Sequence, residues 1–142
     1  AITCDAQVLL LSVLGVKPGP DGAPQVILDA GKNVALPLEW ETHQIFAVSR
    51  MYEPQAVPQD LYGPLCHPGD VVARRRALPE LRAGDVLAVM DAGAYFIPNQ
   101  MNFSHPRPAV VMVDAGRPRL IRRRERFEDV VRLDDLPPGG AA

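Results

Sequence analysis

The sequence predicts an all-β chain, a Greek-key-like β-barrel or closed sandwich with one or two short helices, and three observations carry that reading. Fifteen prolines and eleven glycines are spread through 142 residues, so any helix longer than two or three turns is repeatedly interrupted. Short runs of β-branched and apolar residues recur along the chain, each bounded by turn residues. No repeat of solenoid length is visible, and no apolar run approaches the roughly 20 residues of a membrane helix. Seven to nine short strands are expected.

Residues 8–16 are apolar on both alternate sets, as a strand covered on both faces should be. Lys17-Pro18-Gly19-Pro20-Asp21-Gly22 closes that strand with dense turn chemistry, and residues 24–29 resume as its hairpin partner. Further strands are expected at 43–49, 60–65, 71–77, 85–91, 109–114 and 119–124. Before the fourth of these, Leu78-Pro79-Glu80-Leu81-Arg82-Ala83-Gly84-Asp85 reads as a tight crossing, because Gly84 can adopt positive φ and Asp85 can bond its own turn. Residues 125–131 are the best helical stretch, about two turns long. The composition suggests one domain over residues 1–136 and a frayed tail over 137–142.

Fifteen basic against seventeen acidic residues leave a formal charge of −2, which argues against a general electrostatic grip on nucleic acid or an anionic membrane. Arg74-Arg75-Arg76 and Arg122-Arg123-Arg124 read as solvated strand faces, the second neutralised by Glu125, Glu128 and Asp129. The opening residues carry no basic leader ahead of an apolar stretch. Cys4 and Cys66 are the only thiols. A single pair in a chain of this size reads as reduced cysteines, hence a cytoplasmic protein.

Two segments hold the residues suited to chemistry. Gly63-Pro64-Leu65-Cys66-His67-Pro68-Gly69-Asp70 packs a thiol, an imidazole and a carboxylate into a loop stiffened by two prolines. Taken alone, it is most simply a Pro-Gly turn with a buried cysteine and an exposed histidine. Adjacent Cys66 and His67 make a poor catalytic dyad, since neighbouring strand side chains point to opposite faces. With His43 and His105 far away in sequence, no zinc set is formed and no metal is expected. In the second segment, Asp91-Ala92-Gly93-Ala94-Tyr95, small residues permit close backbone approach ahead of one phenol. Asn99-Gln100-Met101-Asn102-Phe103 adds amides that either orient a polar ligand or simply meet solvent.

Taken in order, Asp29-Ala30-Gly31 at the end of an early strand, Gly63-Pro64-Leu65-Cys66 with Asp70, Leu78-Pro79 and Leu81 with Gly84-Asp85, Asp91-Ala92-Gly93-Ala94-Tyr95, Asn102-Phe103 and Arg107-Pro108-Ala109 resemble a known domain. It is the C-terminal β-domain of the fold-type-III pyridoxal-phosphate decarboxylases, the group of diaminopimelate, ornithine, arginine and carboxynorspermidine decarboxylases. The resemblance extends from about Val8 to Val113. It implies a barrel like the C-terminal domain of alanine racemase; the racemase branch itself is disfavoured by the Gly-Pro-Leu-Cys loop and the Gly-Ala-Tyr segment.

In that family an N-terminal (β/α)₈ barrel holds pyridoxal 5′-phosphate on a lysine, and the β-domain of one subunit caps the active site of its homodimer partner. This chain is too short to include such a barrel. Neither Lys17 nor Lys32 lies in a cofactor motif, so no Schiff-base lysine and no activity are expected from the chain alone. By position, Cys66 would donate the proton that replaces the lost carboxylate of a small amino-acid substrate. His67 and Asp70 would contact or orient that substrate, and Gly93, Ala94 and Tyr95 would bind the cofactor phosphate. The surface with Cys66, His67 and Tyr95 is then expected to be open and partly apolar in the isolated domain. His67 departs from the family, in which diaminopimelate enzymes commonly carry Glu after this cysteine and ornithine enzymes carry Asp. An imidazole cannot supply that anion, which implies poor turnover of diamino acids. The competing reading is a free-standing β-barrel that binds a partner protein and has lost the chemistry.

Overall fold

The computed structural model describes residues 2–135, so the expected tail at 137–142 lies outside the described residues. The chain divides into two compact units, Ala1–Phe103 and Ser104–Ala142, each with its own sheet. Among the described residues there are eight strands and two α-helices of four and five residues. The strand count and the shortness of the helices agree with the sequence reading.

The first unit is a barrel-like six-stranded sheet formed by β1 (Leu9–Pro18), β2 (Pro24–Leu28), β3 (Ile45–Ala47), β4 (Val57–Tyr62), β5 (Val71–Leu78) and β6 (Val86–Val89). Their spatial order is β3-β6-β1-β2-β4-β5. The hairpin between β1 and β2 forms where the turn chemistry places it: Gly22 takes φ +79, and the Ala23 amide donates to Asp21 Oδ1 at 3.1 Å. Strand β1 serves two partners. Its first half pairs with β6 and its second half with β2, with a bulge between Val13 and Gly15 that bends the strand, as bulges do at barrel corners. Pairing is antiparallel throughout, except that β2 and β4 run parallel, matching Gln25 with Asp60 and Ile27 with Tyr62.

Leu9, Leu11 and Val13 of β1 point inward and meet Val26, Leu28, Leu61, Leu78, Leu87, Val89 and Phe96 in one apolar core. The opposite face of β1 corrects the expectation of a strand covered on both sides: Leu10 is 63% and Leu14 56% exposed. Strand β4 also begins earlier than expected, because Pro58 sits where β4 pairs with β5 alone and its missing N–H costs nothing to β2. Gln59, buried in the core, is satisfied by the crossing it supports. Its Nε2 donates to the Pro79 carbonyl at 2.6 Å, and its Oε1 accepts from the Leu81 amide at 3.3 Å.

At the end of that crossing, Gly84 takes φ +90 and Asp85 Oδ2 accepts the Arg82 amide at 2.8 Å, as the local sequence suggests. Arg50 Nε reaches the same oxygen at 2.6 Å and Ser49 Oγ reaches the other at 3.2 Å. Burial alone would push the Asp85 carboxyl up; the bonds from Arg50, the Arg82 amide and Ser49 together outweigh it and hold the group below its ordinary 3.8. A carboxyl lowered in the folded state stabilises the protein above its unfolded pKa, and that contribution is lost as pH falls through the folded value. Asp85→Asn should therefore cost about 2 kcal/mol near neutrality. The gap between the variant and wild type in thermal unfolding should close below about pH 4; a gap that stays constant from pH 7 to pH 3 would contradict the role given to the ionised pair.

The second unit holds a hairpin of β7 (Val110–Asp114) and β8 (Arg117–Arg122) followed by the short helix α2 (Phe127–Val131). Ala115 and Gly116 both lie in the left-handed region, at φ 45 and 75, the geometry of a two-residue hairpin turn. Asp129 caps α2 by accepting the Arg126 amide at 2.7 Å. It also takes both terminal nitrogens of Arg123, and these bonds hold its carboxyl well below the usual range. Glu125 binds Arg107, and with Glu128 its charge also acts on Arg123. The first run is similarly engaged: Arg74 lies over the Tyr62 ring at 5.9 Å, and the Arg75 amide donates to Asp60 Oδ1 at 2.7 Å. Among the described residues no helix is long and apolar enough to cross a membrane.

Candidate functional site

The loop from Gly63 to Asp70 is built around one carboxylate. Asp70 is buried; its Oδ1 accepts the Lys32 amide at 2.7 Å and its Oδ2 the Leu65 amide at 2.8 Å. Its own carbonyl accepts the Gly63 amide at 2.9 Å, which closes the loop. Gly31 and Gly63 give this carboxylate its room, since a Cβ on either would collide with an Asp70 oxygen. The absence of side chains at residues 31 and 63 is therefore a packing requirement of residue 70. At the top of the loop Cys66 and His67 are exposed, and Cys66 is a free thiol. His67 does not point freely into solvent. The Gly69 amide donates to its Nδ1 at 3.0 Å.

The second segment is anchored from within the chain. Gly93 approaches the Thr3–Cys4 backbone so closely that a Cβ would overlap the Thr3 carbonyl, and its amide donates to the Cys4 carbonyl at 2.9 Å. Ala94 is buried. Of the three residues, only Tyr95 reaches outward, 56% exposed and in the left-handed region at φ 65. Its carbonyl is held by Asn99 through both the side-chain amide at 2.9 Å and the backbone amide at 3.1 Å, which offsets the cost of that conformation.

One turn ties the two segments together. Lys32 donates its amide to Asp70, the carbonyl of Asn33 accepts the Met101 amide at 2.9 Å, and Asn33 Oδ1 accepts the Gly31 amide at 3.0 Å. The Gly31-Lys32-Asn33 turn thus holds both the Cys66 loop and the loop that follows Tyr95. Beside the Cys66 loop lies an open groove of about 270 Å³, lined among others by Lys17, Gln25, Tyr62, Leu65, His67 and Asp70. It includes neither Cys66 nor Tyr95. The groove and the place of Lys17 in it are not legible in the sequence, and neither is the convergence of Gly31 and Gly63 on Asp70; each depends on residues that only strand pairing brings together.

Residues 4–93 match the model of a protein family described as pyridoxal-dependent decarboxylase, C-terminal sheet domain. The chain belongs to this family. It is 40% identical over 113 residues to a diaminopimelate decarboxylase of Methanothermobacter thermautotrophicus, covering 78% of this chain and 26% of that protein. It is 37% identical over 142 residues to the corresponding protein of Archaeoglobus fulgidus, covering 96% and 33%. Among solved structures, the diaminopimelate decarboxylase of Methanocaldococcus jannaschii in complex with L-lysine superimposes with a TM-score of 0.84 at 35% identity, over 95% of this chain and 31% of that one. The chain therefore corresponds to the sheet domain of a decarboxylase and spans between about a quarter and a third of the length of these relatives. The all-β fold is that of the family, and the reading as a free-standing binding module is not favoured.

Proposed function

We propose that this chain caps the active site and supports dimerisation of a pyridoxal-phosphate-dependent amino-acid decarboxylase, working with an N-terminal cofactor-binding barrel and a second copy of the enzyme in the cytoplasm. The observation that carries the proposal is the Cys66 loop. A buried carboxylate ties its base to the Gly31-Lys32 turn and to the Leu65 amide of the loop itself, while its top leaves a thiol exposed. Rigid support under an exposed reactive group is the arrangement a site shared with another domain requires. The uncovered Leu10 and Leu14 of β1 add apolar surface of the kind that marks an interface. The two free thiols agree with a reducing compartment.

The residues present fit a supporting role toward the cofactor. Lys32 is bound to Glu39 at 3.0 Å, so the attachment lysine is assigned to the barrel. Tyr95, with its backbone locked by Asn99 and its ring outside, would hold the cofactor phosphate through its hydroxyl. When bound, pyridoxal phosphate supplies an electron sink for the bond broken as CO₂ leaves. Cys66 holds a proton at Sγ and delivers it to the substrate carbon that has lost its carboxylate. Asp70 acts one step back, keeping the loop in place, and the Gly93-Ala94 backbone acts likewise under Tyr95.

The test uses the complete enzyme, incubated with pyridoxal phosphate and a panel of amino acids that includes diaminopimelate, with CO₂ release as the readout. Turnover of at least one amino acid is expected, and none at all would remove the proposal. Tyr95→Phe deletes one hydrogen bond to a charged group and should weaken cofactor binding about tenfold or more. Fluorescence titration of the apoenzyme with pyridoxal phosphate measures it, and an unchanged affinity would detach Tyr95 from the phosphate.

A further inference from the structure

The groove beside the Cys66 loop mixes apolar side chains, Ile27, Leu65 and Pro68, with the donors Lys17, Gln25 and His67, and its one carboxylate is already in use. A backbone N–H can only donate, so the bond from Gly69 to His67 Nδ1 requires that nitrogen to accept. The neutral ring therefore carries its proton on Nε2. Gly69 makes this possible, since a Cβ there would sit 2.8 Å from the ring carbon Cε1. Lys17, which faces Gln25 across the β1–β2 ladder, lines the same groove and forms no ion pair among the described residues. Asp70 is buried with both oxygens occupied by amides, and the Tyr62 hydroxyl is engaged by Asp60 and Arg74. What remains for a ligand is one ammonium, one imidazole N–H and one side-chain amide. Among the described residues no free carboxylate lines the groove.

We infer that His67 and Lys17 bind a carboxylate carried at the far end of the substrate. This rests on the proposed function, in which the Cys66 loop faces the substrate. A distal ammonium would meet the like charge of Lys17 and no free carboxylate, whereas a distal carboxylate meets a cation and a donor together. The substrate class is then amino acids with a second carboxylate. Diaminopimelate, the compound in the relatives' name, has one beside its distal ammonium, so the expectation of poor turnover narrows to diamino acids without it, such as ornithine and lysine.

The experiment is calorimetric titration of the complete enzyme with glutarate, a five-carbon dicarboxylate, and with cadaverine, the five-carbon diamine. Glutarate should bind the more tightly. Its affinity should fall about tenfold in His67→Ala and in Lys17→Gln but be largely restored in His67→Gln, which keeps a side-chain N–H donor. Tighter binding of cadaverine, or glutarate binding to His67→Ala as to wild type, overturns the inference. These equilibria need no turnover, so an enzyme that decarboxylates nothing would remove the proposed function without deciding this result.

Discussion

Cys66→Ala in the complete enzyme should lower kcat by about 10²- to 10⁴-fold, the usual contribution of a positioned proton donor, while leaving thermal stability unchanged. The side chain is exposed and free, so truncating it opens no cavity and orphans no partner. The loop beneath it is held by Asp70 and by backbone bonds that do not involve the thiol. Loss of activity with an unaltered melting temperature therefore assigns the effect to chemistry. Cys66→Ser should fall between the two, because a hydroxyl is a weaker acid than a thiol at the same position. Steady-state kinetics with a parallel thermal melt measures both quantities, and an alanine variant that keeps more than about a third of wild-type kcat would exclude Cys66 as the donor.

Gly63→Ala should be the most destabilising single-methyl substitution in the Cys66 loop. The added Cβ would overlap Asp70 Oδ2 and lie 2.5 Å from Gly31 Cα, and backbone on the far side cannot rotate away as a long side chain can. Overpacking costs about 1–3 kcal/mol, and displacing the carboxylate also takes the acceptor from the half-buried Lys32 and Leu65 amides, at about 1 kcal/mol for each. A loss of about 3–5 kcal/mol is expected, which for a domain of this size lowers the melting temperature by about 10–20 °C. Gly15→Ala is the control. Nothing lies within 4 Å of its added methyl and φ is not positive, so the change there should stay within about 1 kcal/mol. Thermal unfolding of the two variants side by side decides the matter: equal effects would mean that the fit of Gly63 against Asp70 is not what holds the loop.

Several features of the chain were legible because they depend on neighbours in sequence. The β1–β2 hairpin follows from Pro18-Gly19-Pro20-Asp21-Gly22, and the turn into β6 follows from a glycine able to take φ +90 beside an aspartate that bonds the amide three residues back. Proline and glycine frequency excluded long helices by the same local logic. The order of the Gly-Pro-Leu-Cys, Gly-Asp and Gly-Ala-Tyr segments pointed to the family to which the chain belongs. The start of β4 was not legible in this way: it begins at Val57 rather than at Asp60, and Pro58 is paired with Ala77 of β5, beyond the reach of β2.

The tertiary structure decided what those segments do to one another. Residues 31, 63 and 70 meet because β2 and β4 run parallel, with Ile27 beside Tyr62, so the chain leaves both strands at the same edge and Gly31 comes to lie against Gly63. Alternation of apolar residues says which face of a strand is buried but not which strand lies beside it or in which direction. The same pairings carry Lys17 of β1, Gln25 of β2 and Tyr62 of β4 into one groove with His67. Leu10 and Leu14 show the limit from the other side: their hydrophobicity is plain in the sequence, yet whether anything covers them depends on the surfaces that surround β1. Local sequence governs backbone conformation, because φ, ψ and turn bonds involve atoms a few residues apart, whereas convergence of distant residues on one carboxylate is a property of the sheet that brings them together.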